Sequence, residues 1–236
     1  MKWGRARTGS ASPAPESLGG FFVPPTATCP GDASLLHAVP RLGSVRGMKI
    51  SLIVAHPNPR SFNHALAHVA HASLQHLGHD VLVHDLYEEG FDPRLTEREL
   101  ASHTSTDPLV ERHARELQQA EGLVLIHPIW FDAPPAIMKG WVDRVVREGT
   151  AFERGSDGGF VGLLQARQAV VITTQNAPLT PEGDAVHHFW CEFVLPATGT
   201  PARRIALGPI VGSSDAVRRA WLDDVAAALT PCFPAP

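Results

Sequence analysis

Short runs of apolar residues alternate with longer amphipathic stretches from Met48 to the end of the chain. A continuous apolar run is typical of a strand buried on both faces, whereas apolar residues three and four positions apart are typical of a helix. These rules predict five strands, in the order KISLIVAH, HDVLVHDL, EGLVLIHPIW, RQAVVITTQN and RRIALGPIVG. The main predicted helices span residues 61–78, 108–120, 134–146 and 214–229.

The order of these elements predicts the fold class. Strands that alternate with helices favour an α/β protein with an open, parallel, doubly wound sheet, whose right-handed crossovers cover both faces. Ligands of such sheets bind beyond the carboxyl ends of the strands, at the point where the strand order reverses. This rule selects three loops as the candidate site: residues 56–63, 127–134 and 173–180.

The first 47 residues differ from the rest of the chain. They contain six Pro, seven Gly and only two acidic residues, and they lack helical or strand periodicity. Such a segment cannot bury enough apolar surface to offset the entropy of ordering it. We expect a disordered extension over residues 1–47 and one folded domain over 48–236. Met48, where a strand begins at once, is a candidate for the true start; a transit peptide is the alternative, although no amphipathic helix supports it.

Charge and cysteine content narrow the class of protein. The formal net charge is −4 without a long block of either sign, so charge gives no argument for binding nucleic acid. The three cysteines are far apart, which fits neither a disulfide framework nor a CxxC metal site and favours a reducing, cytoplasmic compartment. No apolar run approaches the roughly 18 residues that a membrane-spanning helix needs.

The first loop, HPNPRSFN, leads directly into a helix N-terminus. Free backbone N–H groups and the helix dipole favour an anion there, and Ser61 and Asn63 can add hydrogen bonds. The GxxxxGK[ST] and GxGxxG patterns are both absent, so the loop is neither a P-loop nor a dinucleotide fingerprint. The sequence therefore predicts a phosphate site of another kind, and the alternative is that Ser61 only caps the helix.

The other two loops suit a flat heterocycle. Trp130 and Phe131 follow a buried strand and are flanked by prolines, which makes a rigid apolar wall, unless they are ordinary core residues. The third loop, TTQNAPLTPEG, offers hydroxyl, amide and backbone N–H groups for a polar edge, unless it is only a polar turn.

Two other kinds of site are not expected. His64, His68 and His71 can share one side of a helix, but no carboxylate or cysteine joins them in the local pattern, so we predict no metal site. No Ser-His-Asp order that would support a hydrolase is recognisable in the sequence.

Four blocks together resemble a known family. HPNPRSFN, HPIWFDAPPAIMKGWVDRV, GTAFERG and LLQARQAVVITTQ occur in the order and spacing of the flavodoxin-like NAD(P)H:quinone oxidoreductases, and FWCEFVLPATG is similar to the bacterial branch. The resemblance implies a flavodoxin-like three-layer sandwich with a five-stranded parallel sheet in the order 2-1-3-4-5. It also implies a homodimer.

The resemblance implies bound FAD or FMN, with NAD(P)H as electron donor and a quinone as acceptor in a two-step hydride transfer. The flavin phosphate would lie against His56, Ser61, Phe62 and Asn63. The isoalloxazine would lie along Pro128, Ile129, Trp130 and Phe131. The pyrimidine edge would contact Thr173, Thr174, Gln175 and Asn176.

The chain departs from this family after the paired threonines. Better-known members have Gly-Gly there, followed by a Tyr and a His near the flavin, whereas this chain has Gln175 and Asn176. His187 and His188 are the nearby candidates for proton donation, and the alternative is that they are a surface pair. The resemblance also leaves open a flavin-binding ancillary subunit of a potassium efflux system and, less favoured, an electron carrier like flavodoxin.

Overall fold

A parallel sheet forms the centre of the domain in the computed structural model, which describes residues 46–177 and 184–236. Its strands are β1 (Lys49–Val54), β2 (Asp80–Asp85), β3 (Gly122–Pro128), β6 (Ala169–Thr174) and β7 (Ala202–Leu207). They lie in the order β2-β1-β3-β6-β7, and every neighbouring pair is parallel. The predicted strand order is therefore confirmed.

Helices cover both faces of this sheet. They are α1 (Phe62–His76), α2 (Glu97–Ser102), α3 (Pro108–Gln119), α4 (Ala136–Val145), α5 (Ala185–His187), α6 (Leu195–Ala197) and α7 (Asp215–Leu229), with a π-helical stretch over His188–Val194. Side chains of α1 and α7 share one apolar core with alternate strand residues. Side chains of α3, α4 and the 185–197 segment share the other core with the remaining strand residues. The three-layer α/β prediction is confirmed.

Several short elements were not predicted from the sequence, among them α2, the strands β4 and β5, and the π-helical stretch. α2 begins with a capping box, in which Thr96 and Glu99 bond each other's backbone N–H groups. A separate two-stranded sheet pairs β4 (Phe152–Arg154) with β5 (Phe160–Gly162) in antiparallel fashion. The π-helical stretch has no periodic signature in the sequence.

All five predicted strands extend beyond the observed C-terminal ends, by one to five residues, and local turns explain the differences on β3, β6 and β7. β3 ends at Pro128 because a tight turn begins at Trp130, and β7 ends at Leu207 before Gly208 and Pro209. β6 ends at Thr174, where its backbone partners change to the loop after β7.

The predicted N-terminal extension lies almost wholly outside the described residues, so it stays a prediction. The first described residue, Arg46, forms an exposed ion pair with Glu121, 3.2 Å apart. In the part of the chain that the structure describes, no helix is long and apolar enough to cross a membrane.

A buried ion pair joins α2 to α4. Arg144 Nη2 lies 2.7 Å from Glu99 Oε1, and each side chain is about 95% removed from solvent, with exposed fractions of 5% and 6%. Arg144 also donates to the Asp92 carbonyl at 2.6 Å and lies 3.3 Å from an Asp107 carboxylate oxygen. Burial by itself would raise the pKa of Glu99, but hydrogen bonds from Arg144, Ser105 and Thr96 outweigh burial and hold that pKa at about 2. The network fixes the 92–107 segment on α4.

We expect Glu99→Gln to lower the free energy of unfolding at neutral pH by about 3 kcal/mol, because it leaves the buried Arg144 charge short of its main partner. Because the pKa of Glu99 is lowered, its contribution to the stability of the wild type is complete when the pH is above the ordinary pKa of 4.5. That contribution is lost as the pH falls toward about 2. Urea unfolding at several pH values should show a shallower acid dependence for the variant. Arg94→Gln, which removes an exposed pair with Asp92, is the control and should change little. Equal effects from the two variants would contradict this account.

Candidate active site

The three predicted loops meet at one edge of the sheet. In the parallel register Val54 pairs with Ile126 and Pro128 pairs with Thr174, so β1, β3 and β6 end side by side. Asn63 Nδ2 donates to Thr174 Oγ1 at 3.0 Å, which joins the first loop to the third. The His56 and Trp130 rings lie with centroids 6.1 Å apart, which joins the first loop to the second.

The first loop forms a compact turn that ends at a helix cap. Asn58 organises it, because its carbonyl accepts from Ser61 N at 3.0 Å and its side chain accepts from Arg60 N at 2.9 Å. Ser61 then caps α1, and its hydroxyl accepts the His64 N–H at 3.3 Å. The backbone N–H groups of Phe62 and Asn63 lie in the first turn, where the helix itself offers no carbonyl to accept them. This end of a 15-residue helix therefore suits an anion.

His56 presents a neutral ring to this turn. Its Nδ1 accepts the Asn58 N–H at 3.0 Å, which places the ring hydrogen on Nε2. Partial burial lowers the pKa of His56, and the Asn58 carbonyl, 3.3 Å from Nδ1, opposes that effect only in part because it would favour a protonated ring. His56 is therefore a hydrogen-bond donor without a full charge near neutral pH.

The second loop is a two-residue reverse turn. Trp130 N donates to Ala133 O at 3.0 Å, and Ala133 N donates back to Trp130 O at 3.2 Å. The two central residues, Phe131 and Asp132, have φ of 51° and 55°, as a type I′ turn requires. The left-handed conformation is strained for a phenylalanine, and this one is fully exposed. The alternative that these aromatics are core residues is therefore wrong for Phe131, and Trp130 is 42% exposed.

A buried hydrogen-bonded pair supports the second loop from below. Trp190 Nε1 donates to His127 Nε2 at 2.8 Å, and His127 Nδ1 donates to the Pro128 carbonyl at 2.9 Å. Complete burial lowers the pKa of His127 to about 4, so the ring is neutral and both of its nitrogens are used. This pair fixes the backbone at the end of β3, and it was not anticipated from the sequence because Trp190 lies in the π-helical stretch.

The side chains of the third loop mostly bond to the protein itself. Thr174 bonds Asn63, and Thr173, on the opposite face of β6, accepts from Arg204 at 3.4 Å. Asn176 Oδ1 accepts the Val211 N–H at 2.9 Å, which ties this loop to the one after β7. The expected contacts of Thr173 and Thr174 with a ligand would therefore come from their backbone rather than from their hydroxyls. Residues 178–180 of the predicted loop lie outside the described residues.

His187 and His188 lie where the described chain resumes after the third loop. His188 Nδ1 is 2.8 Å from a Glu192 carboxylate oxygen, and His187 Nε2 is 3.7 Å from the other. Both rings are substantially exposed. These pairs fit the surface alternative, and the recorded contacts do not join either ring to the three loops within the described residues. Their role in proton donation stays a prediction.

A histidine and carboxylate cluster lies at the end of β2, and it was missed because its members are distant in sequence. His84, Glu89 and His113 place potential ligand atoms within 4.8 Å of one another. Trp141 Nε1 donates to His113 Nδ1 at 3.0 Å, which leaves the ring hydrogen on Nε2, 2.6 Å from Glu89. Burial raises the pKa of Glu89, but the two histidines outweigh it and lower that pKa to about 2. This tautomer makes the cluster a hydrogen-bonded network, because a metal would need the His113 Nε2 lone pair.

The sequence analysis also missed a chain of three polar side chains beside the first loop. Ser61 Oγ lies 2.9 Å from His64 Nδ1, and His64 Nε2 lies 2.7 Å from Asp85 Oδ2. A Ser-His-Asp arrangement thus exists in space, although no such order was recognised in the sequence. The available signal was the spacing of Ser61 and His64 on one helix turn, together with an acidic residue at the end of β2, the strand beside β1.

Comparison with known proteins identifies the family of this chain. A family model described as a flavodoxin-like fold matches residues 48–201, which is more than half of the chain. The chain belongs to this flavodoxin-like family. A crystal structure of Smu.1420 from Streptococcus mutans UA159 is 31% identical, with a TM-score of 0.66 over 77% of this chain and 98% of that chain.

Two further relatives of this flavodoxin-like chain have names that state an activity. The NAD(P)H:quinone oxidoreductase from Methanothermobacter marburgensis is 25% identical, with a TM-score of 0.66 over 77% of this chain and 95% of that chain. The ribosyldihydronicotinamide dehydrogenase [quinone] of Pongo abelii is 34% identical over 149 residues, which are 54% of this chain and 63% of that protein. The chain thus spans less than two thirds of the length of this relative.

We expect Thr174→Val to lower the free energy of unfolding by about 1–2 kcal/mol, because it leaves the buried Asn63 side chain without its partner while preserving shape. Thr173→Val, on the next residue of the same strand, is the matched control. Its effect should be smaller, since Arg204 keeps its ion pair with Asp184. Denaturant unfolding of both variants checks this, and a larger loss for Thr173→Val would refute the linking role of Thr174.

Proposed function

We propose that this protein is a flavin-dependent NAD(P)H:quinone oxidoreductase that uses two-electron hydride transfer. The observation that carries the proposal is the meeting of an anion-binding helix end with an exposed aromatic turn at one edge of the sheet, joined through Asn63, Thr174, His56 and Trp130. A flavin has both features that such a site requires, because it combines a flat tricyclic ring with a phosphate tail.

The first loop would hold the flavin phosphate. The backbone N–H groups of Phe62 and Asn63 lie at the positive end of the α1 dipole. The neutral His56 ring offers its Nε2–H as a further donor. Ser61 adds its hydroxyl, whose hydrogen can be directed in more than one way. These groups would bind a phosphate mainly through hydrogen bonds and the helix dipole.

The second and third loops would hold the ring. Trp130 and Phe131 expose aromatic surface on a turn held by two backbone hydrogen bonds, next to Pro128 and Ile129. Backbone groups of residues 173–176, with the side chain of Gln175, would contact the pyrimidine edge. Bound there, a flavin supplies the hydride chemistry between NAD(P)H and the quinone. The protein would supply position and N–H groups toward developing negative charge.

The names of the relatives support the same reaction class. The Pongo abelii protein and the Methanothermobacter marburgensis enzyme are both named for quinone reduction. FAD and FMN are both candidates, because the described loops would hold the portion that both cofactors share. No observation favours the alternative of an ancillary subunit of a potassium efflux system.

We also propose a cytoplasmic homodimer. An apolar surface supports the dimer: exposed side chains of the β4–β5 hairpin lie beside an exposed residue of the π-helical stretch, namely Phe160, Val161, Leu163 and Phe193. The cytoplasmic assignment has the support of Cys191, which is a free thiol in the described chain.

We expect the purified protein to be yellow and to lose that colour when NADH or NADPH is added without oxygen. Heat release followed by mass measurement should identify FAD or FMN. Trp130→Ala with Phe131→Ala should weaken flavin binding, whereas Leu100→Ala, which removes an exposed apolar side chain of α2, should not. A colourless protein that binds neither added FMN nor added FAD would refute the proposed function.

We propose His187 or His188 as the proton donor to the acceptor. Alanine at the responsible position should slow oxidation of the reduced protein by a quinone by about 10²-fold, the usual contribution of general acid catalysis, with little effect on reduction by NAD(P)H. Stopped-flow measurement of the two half-reactions separates these effects. Glu192→Gln removes the carboxylate that both rings share. It tests whether this pairing affects the rate at which a quinone oxidises the reduced protein. Wild-type rates in both alanine variants would eliminate this assignment.

A further inference from the structure

His64, buried in the first turn of α1, has both ring nitrogens engaged. Its Nδ1 lies 2.9 Å from the hydroxyl oxygen of Ser61, and its Nε2 lies 2.7 Å from Asp85 Oδ2. Ser61 is also the residue that caps α1 at the proposed phosphate site. The state of the His64 ring therefore decides how the Ser61 hydroxyl is oriented.

Asp85 fixes which nitrogen of His64 carries the hydrogen. Asp85 Oδ1 accepts the backbone N–H groups of Tyr87 at 3.0 Å and Glu88 at 3.3 Å, which hold the carboxylate in place as an acceptor. Its Oδ2 then takes the His64 Nε2–H. A neutral His64 consequently presents a lone pair on Nδ1 to Ser61.

The direction of the Ser61 hydrogen follows from this tautomer. Beside a neutral His64, the Ser61 hydroxyl donates to Nδ1 and turns an oxygen lone pair outward, which repels an anion. Beside a protonated His64, Nδ1–H donates to Ser61 Oγ, which also accepts the His64 backbone N–H at 3.3 Å. Both acceptor positions are then filled, and the hydroxyl hydrogen is available to the anion.

We propose that the flavin phosphate binds together with a proton on His64, which releases the Ser61 hydroxyl as a donor, and that Asp85 and His64 are positioning residues for this step. This rests on the proposed flavin site. Within the described residues, two titratable groups face His64: Asp85 from the end of β2, and His56 from the end of β1, with ring centroids 6.3 Å apart. Partial burial lowers the pKa of His56, so this ring does not replace the charge of His64.

Proton uptake on binding tests the proposal directly. FMN and FAD are titrated calorimetrically into flavin-free protein between about pH 6 and 8.5, in buffers of different ionisation enthalpy. We expect uptake of up to one proton, and a Kd that rises by up to about tenfold per pH unit as the pH is raised through this range. The FMN phosphate itself titrates near about pH 6, whereas the FAD diphosphate does not, so agreement between the two ligands assigns the proton to the protein.

Asp85→Asn gives the sharpest variant. Asn Oδ1 keeps the two backbone bonds, so its amide faces His64 Nε2 as a donor and moves the ring hydrogen to Nδ1. The Ser61 hydroxyl is then released without protonation. We expect an affinity that no longer falls with pH, and tighter binding than wild type at about pH 8.5. His64→Gln should abolish proton uptake, whereas His68→Gln, exposed one turn along α1, should keep it.

The possible results separate this proposal from the flavin assignment. Flavin binding without proton uptake in the wild type, or an Asp85→Asn affinity that still falls with pH, overturns the role of His64 and leaves the flavin site standing. Absence of flavin binding at every pH overturns both. Circular dichroism establishes that each variant is folded, and His64→Gln carries the test if Asp85→Asn does not fold.

Discussion

The hydrogen bond between Asn63 and Thr174 joins parts of the chain that are 111 residues apart, and the candidate site depends on it. The parallel register brings β1, β3 and β6 to a common edge, but register alone does not fix the loops that follow them. The Asn63 amide closes the distance between the helix that would hold a phosphate and the strand end that would hold a heterocycle. Because both side chains are buried, the link is protected from competing water.

Polar pairs of the same kind support the site from below and from the side. His127 and Trp190 lie under the second loop, and Arg144 with Glu99 attaches the 92–107 segment to α4. Each pair places a hydrogen-bonding group inside a largely apolar core and satisfies it there. The strands provide the frame, and these few directional bonds set the orientation of the loops on it.

The sequence pattern was sufficient for the strands, for the parallel α/β class and for the location of the loops, whereas the strand order came from the family resemblance. Continuous apolar runs identify buried strands, and alternation with helices determines a parallel order, so the convergence of Ser61, Trp130 and Thr174 followed from topology. The direction of individual side chains did not follow. Thr173 and Thr174 are adjacent and chemically alike, yet one bonds Arg204 and the other bonds Asn63. Asp85 meets His64 only after β2 has paired with β1, a contact that no local spacing reveals.

The backbone of Phe131 has a consequence for how this position can vary. A left-handed φ costs a bulky residue on the order of 1–2 kcal/mol, whereas glycine adopts it freely. The Phe131 ring is not part of either described core, so core packing does not offset this cost. Folding alone would thus prefer glycine here, so the proposed contact with a ligand gives the aromatic ring a role that packing does not.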